Sequence, residues 1–158
     1  MNKKNWPIIV GIAQFTQDKN STQPLDPLNL IVKACQTAII NTGIDNLQEY
    51  IDTLYLSTIS SWIYKDFISK ISDILTLKLK QRFIAPISGN VPQMLVNKAA
   101  KAIALGRSKI VLIAGGEAEY SKYRYRKGKI TLDWPKQPPR TVDQAQKAIN
   151  YYFSAFEI

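Results

Sequence analysis

Apolar and polar positions along the first two-thirds of the chain form a pattern that predicts strands and helices in alternation. Compact apolar runs bounded by polar or turn-forming residues predict four strands, at residues 7–13, 51–58, 83–87 and 109–114. From Ile110 onward the last run is aliphatic on both faces, which is typical of a strand in the middle of a sheet.

Three segments between these strands carry apolar residues at helical spacing. The first begins at Asp26-Pro27, because an aspartate accepts free amide hydrogens and a proline fits the first turn, and it ends at Gly43. The other two cover residues 64–79 and 92–106. The order β-α-β-α-β-α-β predicts an open α/β sheet with helices on its faces.

The periodic pattern stops after Gly116. Residues 117–141 are polar, basic and aromatic, and three prolines among them predict irregular structure, with a short helix returning at 142–152. The length of 158 residues is that of one domain of ordinary size. We therefore expect an α/β domain over residues 1–116 and a basic arm with a short helix over residues 117–158.

Composition excludes several classes of protein. With 46% hydrophobic and 21% charged residues, the chain is neither disordered nor fibrous. Its apolar runs are much shorter than the ~20 residues of a membrane helix, and the start of the chain does not resemble a secretory signal. A single cysteine excludes an internal disulfide. These features predict a cytoplasmic protein that does not enter a membrane.

The chain contains no histidine, which restricts its chemistry. Zinc sites of the Cys/His type, Ser-His-Asp triads and Cys-His dyads cannot be built from this chain alone. Cys35 falls on the apolar stripe of the first predicted helix, so we interpret it as a small core residue rather than a nucleophile. We expect neither a metal site nor a bound cofactor.

The net charge is +9, and much of the excess lies in one run without acidic residues. This run contains Lys122, Arg124, Arg126, Lys127 and Lys129. The ordinary explanation is a solvated basic surface. The alternative is an anionic partner such as nucleic acid, acyl-CoA or a lipid surface, with Lys122, Arg124 and Arg126 as candidate binding residues.

Two loops are expected at the carboxyl edge of the sheet, where ligands bind in open α/β folds. Ser88-Gly89-Asn90 leads into the third predicted helix, which indicates a turn with a cap or an anion-binding backbone. Gly115-Gly116-Glu117 follows the fourth strand. A glycine pair there allows close backbone approach, and one carboxylate without a titratable partner is typical of a loop anchor, so these three residues are predicted to be structural.

Several segments in order resemble the N-terminal part of the thiolase superfamily, closest to acetyl-CoA acetyltransferase relatives of the sterol-carrier-protein-x type. They include IVGIAQ at 9–14, Asp26-Pro27, Ile51-Asp52, GNVPQ at 89–93, the helix at 99–106, LIAGGEA at 112–118 and the stretch at 120–134. The resemblance implies a layered fold with a mixed sheet. It also implies acyl transfer on coenzyme A thioesters, as substrates rather than cofactors.

The chain departs from this family in two ways. The family's nucleophile is a cysteine in the loop before the third helix, where this chain has Ser88, Gly89 and Asn90. The chain also stops near Ile158, before the second half of the family's fold. The resemblance therefore implies a truncated acyltransferase that is inactive alone, and whether it is an enzyme stays open.

Three functions remain open at this point. The first is the N-terminal part of a thiolase-like acyltransferase, acting as a homo-oligomer or with a separate complementary half. The second is a non-catalytic acyl-CoA or anion binder. The third, which we favour least, is a nucleic-acid-binding module in which tyrosines stack on bases and Arg and Lys bind phosphates.

Overall fold

The computed structural model describes residues 5–139, and the helix expected at 142–152 lies outside this range. The helices are α1 (Pro27–Ile40), α2 (Phe67–Ile74), α3 (Val91–Ala104) and α4 (Glu119–Arg126), and the strands are β1 (Thr53–Ser57), β2 (Gln81–Ala85) and β3 (Val111–Ala114). In this part of the chain no helix is long and apolar enough to cross a membrane.

The three strands form one parallel sheet in the order β2-β1-β3. Tyr55 in the central strand stands opposite Phe83 on one side and Ile113 on the other. Helix α2 connects β1 to β2, and α3 connects β2 to β3. Because the strands are parallel, the loops that follow them meet at one edge of the sheet.

Helices cover both faces of this sheet, as expected for an α/β fold. Leu54 and Leu56 of β1 are fully buried against α1 and α2, with Ile31 and Ile71 among their neighbours in the same apolar cluster. Tyr55 points to the opposite face, where it packs with the buried residues of α3. The alternation along β1 therefore places it in the centre of the core.

The start of α1 confirms the capping pattern read from the sequence. Asp26 is the N-cap, and its Oδ1 accepts a hydrogen bond from the backbone amide of Asn29 at 2.9 Å. Pro27 occupies the first turn, and Cys35 lies on the buried stripe of the helix. Here the local signals and the tertiary packing agree.

The prediction of a first strand at residues 7–13 is wrong. This segment forms no strand in the structure, and Ile8, Ile9 and Ile12 are each about three-quarters exposed, at 75%, 78% and 74%. An apolar run becomes a strand only when another strand pairs with its backbone. Among residues 5–139 no strand pairs with this one, so its apolar residues face solvent.

The placement of the last strand also differs from the prediction. Strand β3 lies at an edge of the described sheet rather than in its centre, and all four of its residues are only partly buried. All described strands are parallel, so the antiparallel member of a mixed sheet is not among residues 5–139. Whether a strand is central depends on which strands lie beside it, and the hydropathy of the strand alone does not reveal its neighbours.

Two further segments differ in local structure. The second helix ends at Ile74, earlier than predicted, because Thr76 adopts a positive φ of 54° that ends the helical path. The basic run, expected to be irregular or extended, instead begins with the two-turn helix α4. Glu119 and Lys122 lie one turn apart in α4, with Oε1 and Nζ separated by 3.6 Å, which supports a helix.

Candidate functional site

The candidate site is the carboxyl edge of the sheet, where the segments following the three strands come together. The segment after β1 contains Ser60 and Ser61, the one after β2 contains Ser88 to Asn90, and the one after β3 contains Gly115 to Glu117. The first and third of these segments are joined by side-chain hydrogen bonds. Within residues 5–139 no side-chain hydrogen bond joins the second segment to the other two.

Glu117 is the centre of the hydrogen-bonded group. Its Oε1 accepts from the backbone amide of Ser60 and, at 2.9 Å, from the Ser60 hydroxyl, while Oε2 accepts from the Ser61 amide at 3.0 Å. The buried Ser61 hydroxyl in turn accepts from the amide of Ala118 at 3.1 Å. These bonds link the loops after β1 and β3 in both directions, since Glu117 accepts from the first loop and Ser61 accepts from the second. We call this group of hydrogen bonds the Glu117 bridge.

The same bonds set the electrostatics of Glu117. Desolvation at the sheet edge raises the pKa of this carboxyl, but the hydrogen bonds from Ser61 and Ser60 outweigh it, and the net pKa lies below its ordinary value. Glu117 is therefore ionised at neutral pH. A carboxylate in that state accepts hydrogen bonds and is a poor proton donor.

Close packing explains the glycine pair before Glu117. A Cβ at Gly115 would collide with the Ser57 hydroxyl oxygen, and a Cβ at Gly116 would lie 2.9 Å from Cγ1 of the buried Ile31. Neither position therefore accepts a larger residue without movement of its neighbour. Gly115, Gly116 and Glu117 therefore all pack against or bond to neighbouring parts of the protein.

Ser88, Gly89 and Asn90 precede α3 and are all exposed. The Ser88 hydroxyl donates to Oδ1 of Asn90 at 2.7 Å. An amide oxygen is not a general base, so this contact does not activate Ser88 as a nucleophile. The loop is a turn at a helix start whose side chains bond to one another.

Cys35, the only cysteine in the chain, lies in an environment that does not suit a nucleophile. It is 2% exposed, and burial raises its pKa to about 12. Reactive cysteines have the opposite environment, with a lowered pKa and solvent access. No group of three or more His, Cys, Asp or Glu residues suited to a metal ion occurs within residues 5–139.

The three basic residues predicted as candidates for anion binding point in different directions from α4. The Lys122 ammonium is near Glu119 and 3.5 Å from the Ser60 carbonyl oxygen. Arg124 Nη1 donates to the carbonyl oxygens of Lys19 at 2.6 Å and Ser21 at 2.8 Å, so this guanidinium fastens α4 to the loop before α1. Arg126 is exposed. Alternate residues of a helix point to different sides, so these three do not form one cluster.

A small cavity lies beside the Glu117 bridge. Its volume is about 240 Å³, and its walls come from three parts of the chain. They are Ala13, Gln14 and Phe15, then Leu30 and Ala34 of α1, and finally Gly115, Gly116 and Glu117. The sequence pattern gave no sign that Gln14 or Phe15 belongs to a site, because their position depends on how the N-terminal segment packs along α1.

A tryptophan pair fastens the segment after α4 over this edge of the sheet. The rings of Trp62 and Trp134 meet edge to face with centroids 4.9 Å apart. Trp62 Nε1 donates to the Pro135 carbonyl at 2.8 Å, and Trp134 Nε1 donates to the Pro24 carbonyl at 2.7 Å. Residues 134–135 thus bind both the loop after β1 and the loop before α1. The spacing of residues along the sequence did not predict this contact.

The fold defined by this sheet, its crossover helices and its loops is thiolase-like. The structure is similar to the crystal structure of a monomeric SCP2-thiolase-like protein type 1 from Mycobacterium smegmatis, with a TM-score of 0.62 and 24% sequence identity. The match covers 70% of this chain and 23% of that protein, so this chain corresponds to a minor part of it. No protein-family model matches the sequence, and no curated protein is significantly similar to it.

Proposed function

We propose that the chain is an acyl-CoA-binding part of a thiolase-like acyltransferase and that it does not turn over thioesters by itself. The observation that supports this most is the pairing of a thiolase-like fold with a loop before α3 that holds Ser88, Gly89 and Asn90 in place of a nucleophile. Binding and chemistry would then lie on different polypeptide segments.

The absence of independent catalysis rests on the side chains present. The chain has no histidine, its one thiol is buried with a raised pKa, and the Ser88 hydroxyl bonds to an amide oxygen. An acyl transfer needs both a nucleophile and a base, each of which contributes orders of magnitude. Glu117 is ionised but fully engaged by Ser60 and Ser61.

Binding of a coenzyme A thioester would use the cavity at the carboxyl edge and the basic residues that end α4. The cavity of about 240 Å³ is smaller than the ~300–1,000 Å³ of typical ligand pockets, so it suits a short acyl group rather than the whole coenzyme. Arg126, Lys127 and Lys129, which are exposed at the end of α4 and just after it, would supply positive charge for the phosphates.

The test combines an activity assay with calorimetry on the full chain. We expect no thiolysis of acetoacetyl-CoA, together with binding of coenzyme A that weakens with salt and is lost for pantetheine, which lacks the nucleotide phosphates. Arg126→Gln should weaken binding, whereas Lys78→Gln, an exposed change after α2, should not. Thiolysis by the chain alone, or equal binding of coenzyme A and pantetheine, would contradict the proposal.

The exposed tyrosines of α4 favour a second candidate function. Tyr120 and Tyr123 are about half exposed, their rings are stacked with centroids 6.3 Å apart, and the Lys127 ammonium lies 5.8 Å from the Tyr123 ring. Exposed tyrosines beside cations are the elements with which proteins bind single-stranded nucleic acid. Titration with a single-stranded oligonucleotide in the same calorimeter distinguishes the two functions. Tight, salt-sensitive binding that Tyr123→Ala removes would favour nucleic acid.

A further inference from the structure

The cavity beside the Glu117 bridge has one charged side chain in its wall. Glu117 contributes a carboxylate, and the other lining residues, from the N-terminal segment, α1 and the glycine pair, are uncharged. The Lys33 ammonium lies 5.1 Å from the centre of the Phe15 ring, but Lys33 does not itself line the cavity. Within residues 5–139, the wall of this cavity is therefore negative.

No cation balances the charge of Glu117 in the part of the chain that the structure describes, where the salt bridge joins Lys122 to Glu119. The groups that bond to Glu117 are the Ser60 amide and hydroxyl and the Ser61 amide, which carry dipoles and no net charge. Desolvation raises the pKa of Glu117, and these hydrogen bonds outweigh it, so the carboxyl is ionised at neutral pH.

The Glu117 bridge also fixes the position of this charge. A carboxylate on a free side chain can turn toward solvent when an anion approaches. Glu117 could do so only by breaking its three hydrogen bonds with Ser60 and Ser61. The backbone before it packs closely on Ile31 at Gly116. The negative charge therefore stays beside a ligand that enters the cavity.

We propose that Glu117 determines the specificity of the cavity, which accepts short uncharged acyl groups and excludes acyl groups that end in a carboxylate. This inference rests on the proposed binding of coenzyme A thioesters and names the class of acyl group. A second carboxylate in the cavity would be repelled by Glu117 and would also lose part of its hydration. The small apolar side chains of Ala13, Leu30 and Ala34 suit an uncharged chain instead.

Calorimetry on the full chain compares butyryl-CoA with succinyl-CoA, in which a carboxylate replaces the terminal methyl group. We expect the wild type to bind butyryl-CoA about tenfold more tightly. Glu117→Gln removes the charge, keeps the size and should bring the two affinities within about twofold of each other. The matched control Glu49→Gln makes the same change at an exposed glutamate in the turn before β1, at the opposite edge of the sheet, and should keep the wild-type ratio.

A second variant keeps the test decisive if Glu117→Gln disturbs the loop. Gln14 is exposed and lines the cavity. Gln14→Lys adds a cation to the wall and leaves the Glu117 bridge in place, so it should improve the binding of succinyl-CoA relative to butyryl-CoA by about tenfold. Equal affinities of the wild type for the two thioesters would overturn the proposal, as would a preference that both variants leave unchanged.

Failure of this proposal is distinguishable from failure of the proposed function. If coenzyme A binds and the two thioesters bind equally, the specificity alone is wrong. If coenzyme A does not bind, NMR of the Ala13 and Ala34 methyl groups tests the cavity with butyramide and succinamate, the neutral and anionic amides of the same acyl groups. Shifts with butyramide alone would support the role of Glu117, and shifts with both amides or with neither would overturn it.

Discussion

The carboxylate of Glu117 accepts a hydrogen bond over 3.0 Å from the backbone amide of Ser61, 56 positions earlier in the chain. With the bonds from Ser60, this contact fastens the loop after β3 to the loop after β1. Both loops also bound the candidate site. Their relative position therefore depends in part on one ionised side chain.

Glu117→Gln should destabilise the protein by about 1 kcal/mol at neutral pH, a low value because the carboxylate is partly solvated. The amide keeps one acceptor oxygen but loses the charge that strengthens the bonds to Ser60 and Ser61. Urea unfolding measures the change, and Asp73→Asn, an exposed change in α2, is the control. Equal stability of wild type and Glu117→Gln would show that the bridge does not contribute.

The pKa of Glu117 makes the same contribution dependent on pH. Because the folded pKa is lowered, the stabilisation is present above the ordinary pKa of about 4.3 and is lost as pH falls through the folded value. Wild-type stability should therefore fall more steeply than that of Glu117→Gln below about pH 5. Parallel stability curves for the two proteins would contradict the assigned pKa direction.

Arg124 and Arg126 should respond differently to removal although they are two positions apart. Arg124→Ala removes charge-assisted hydrogen bonds to the carbonyls of Lys19 and Ser21 and should cost about 1–2 kcal/mol. Arg126→Ala changes an exposed side chain and should stay within about 0.5 kcal/mol. Thermal unfolding of both variants decides this. Equal effects would mean that Arg124 does not anchor α4.

Gly115→Ala should destabilise the protein by about 1–3 kcal/mol, because the added methyl collides with the Ser57 hydroxyl. Ser57→Ala removes that oxygen, so the double variant should recover part of the loss. Gly89→Ala is the control, since a Cβ there meets nothing within 4 Å. Denaturant unfolding of the four proteins completes the cycle, and a purely additive double variant would contradict the collision.

Tyr64→Phe should cost about 1 kcal/mol through the start of α1. The Tyr64 hydroxyl donates to Oδ2 of Asp26 at 2.8 Å and accepts from the Leu28 amide at 3.3 Å, so it supports the N-cap from another segment. Burial is the largest cause that raises the pKa of Tyr64; the hydrogen bond from the Leu28 amide opposes it, and the hydrogen bond to Asp26 and the charge of that carboxylate raise the pKa further. Because burial also raises the pKa of Tyr55, ultraviolet titration should show fewer tyrosines ionising in alkaline solution than after unfolding, and Tyr64→Phe should reduce that difference.

Cys35 should not react with thiol reagents in the folded protein. Burial holds its pKa near 12, so neither thiolate nor access is available at neutral pH. Reaction with a chromogenic disulfide should appear only in denaturant, and Cys35→Ala should leave coenzyme A binding unchanged. Rapid labelling of the native protein would show that α1 opens.

The elements whose signals are local could be predicted from the sequence. Asp26 and Pro27 predict the start of α1, and the apolar spacing after them places Cys35 in the core. Both signals can be read locally because capping and helical periodicity act within a few residues. The α/β class followed from the alternation of elements. The resemblance to thiolases also lay in ordered segments of sequence, and the structural similarity supports it at the level of the fold.

Other features were decided by the tertiary structure alone. Whether residues 7–13 form a strand depends on a partner backbone, and whether β3 is central depends on its neighbours, so their hydropathy was not sufficient. Likewise, Ser60 and Ser61 meet Glu117 only because parallel pairing brings two strand ends together. Capping and periodicity are short-range properties of the chain, whereas pairing and burial depend on which distant segments are in contact.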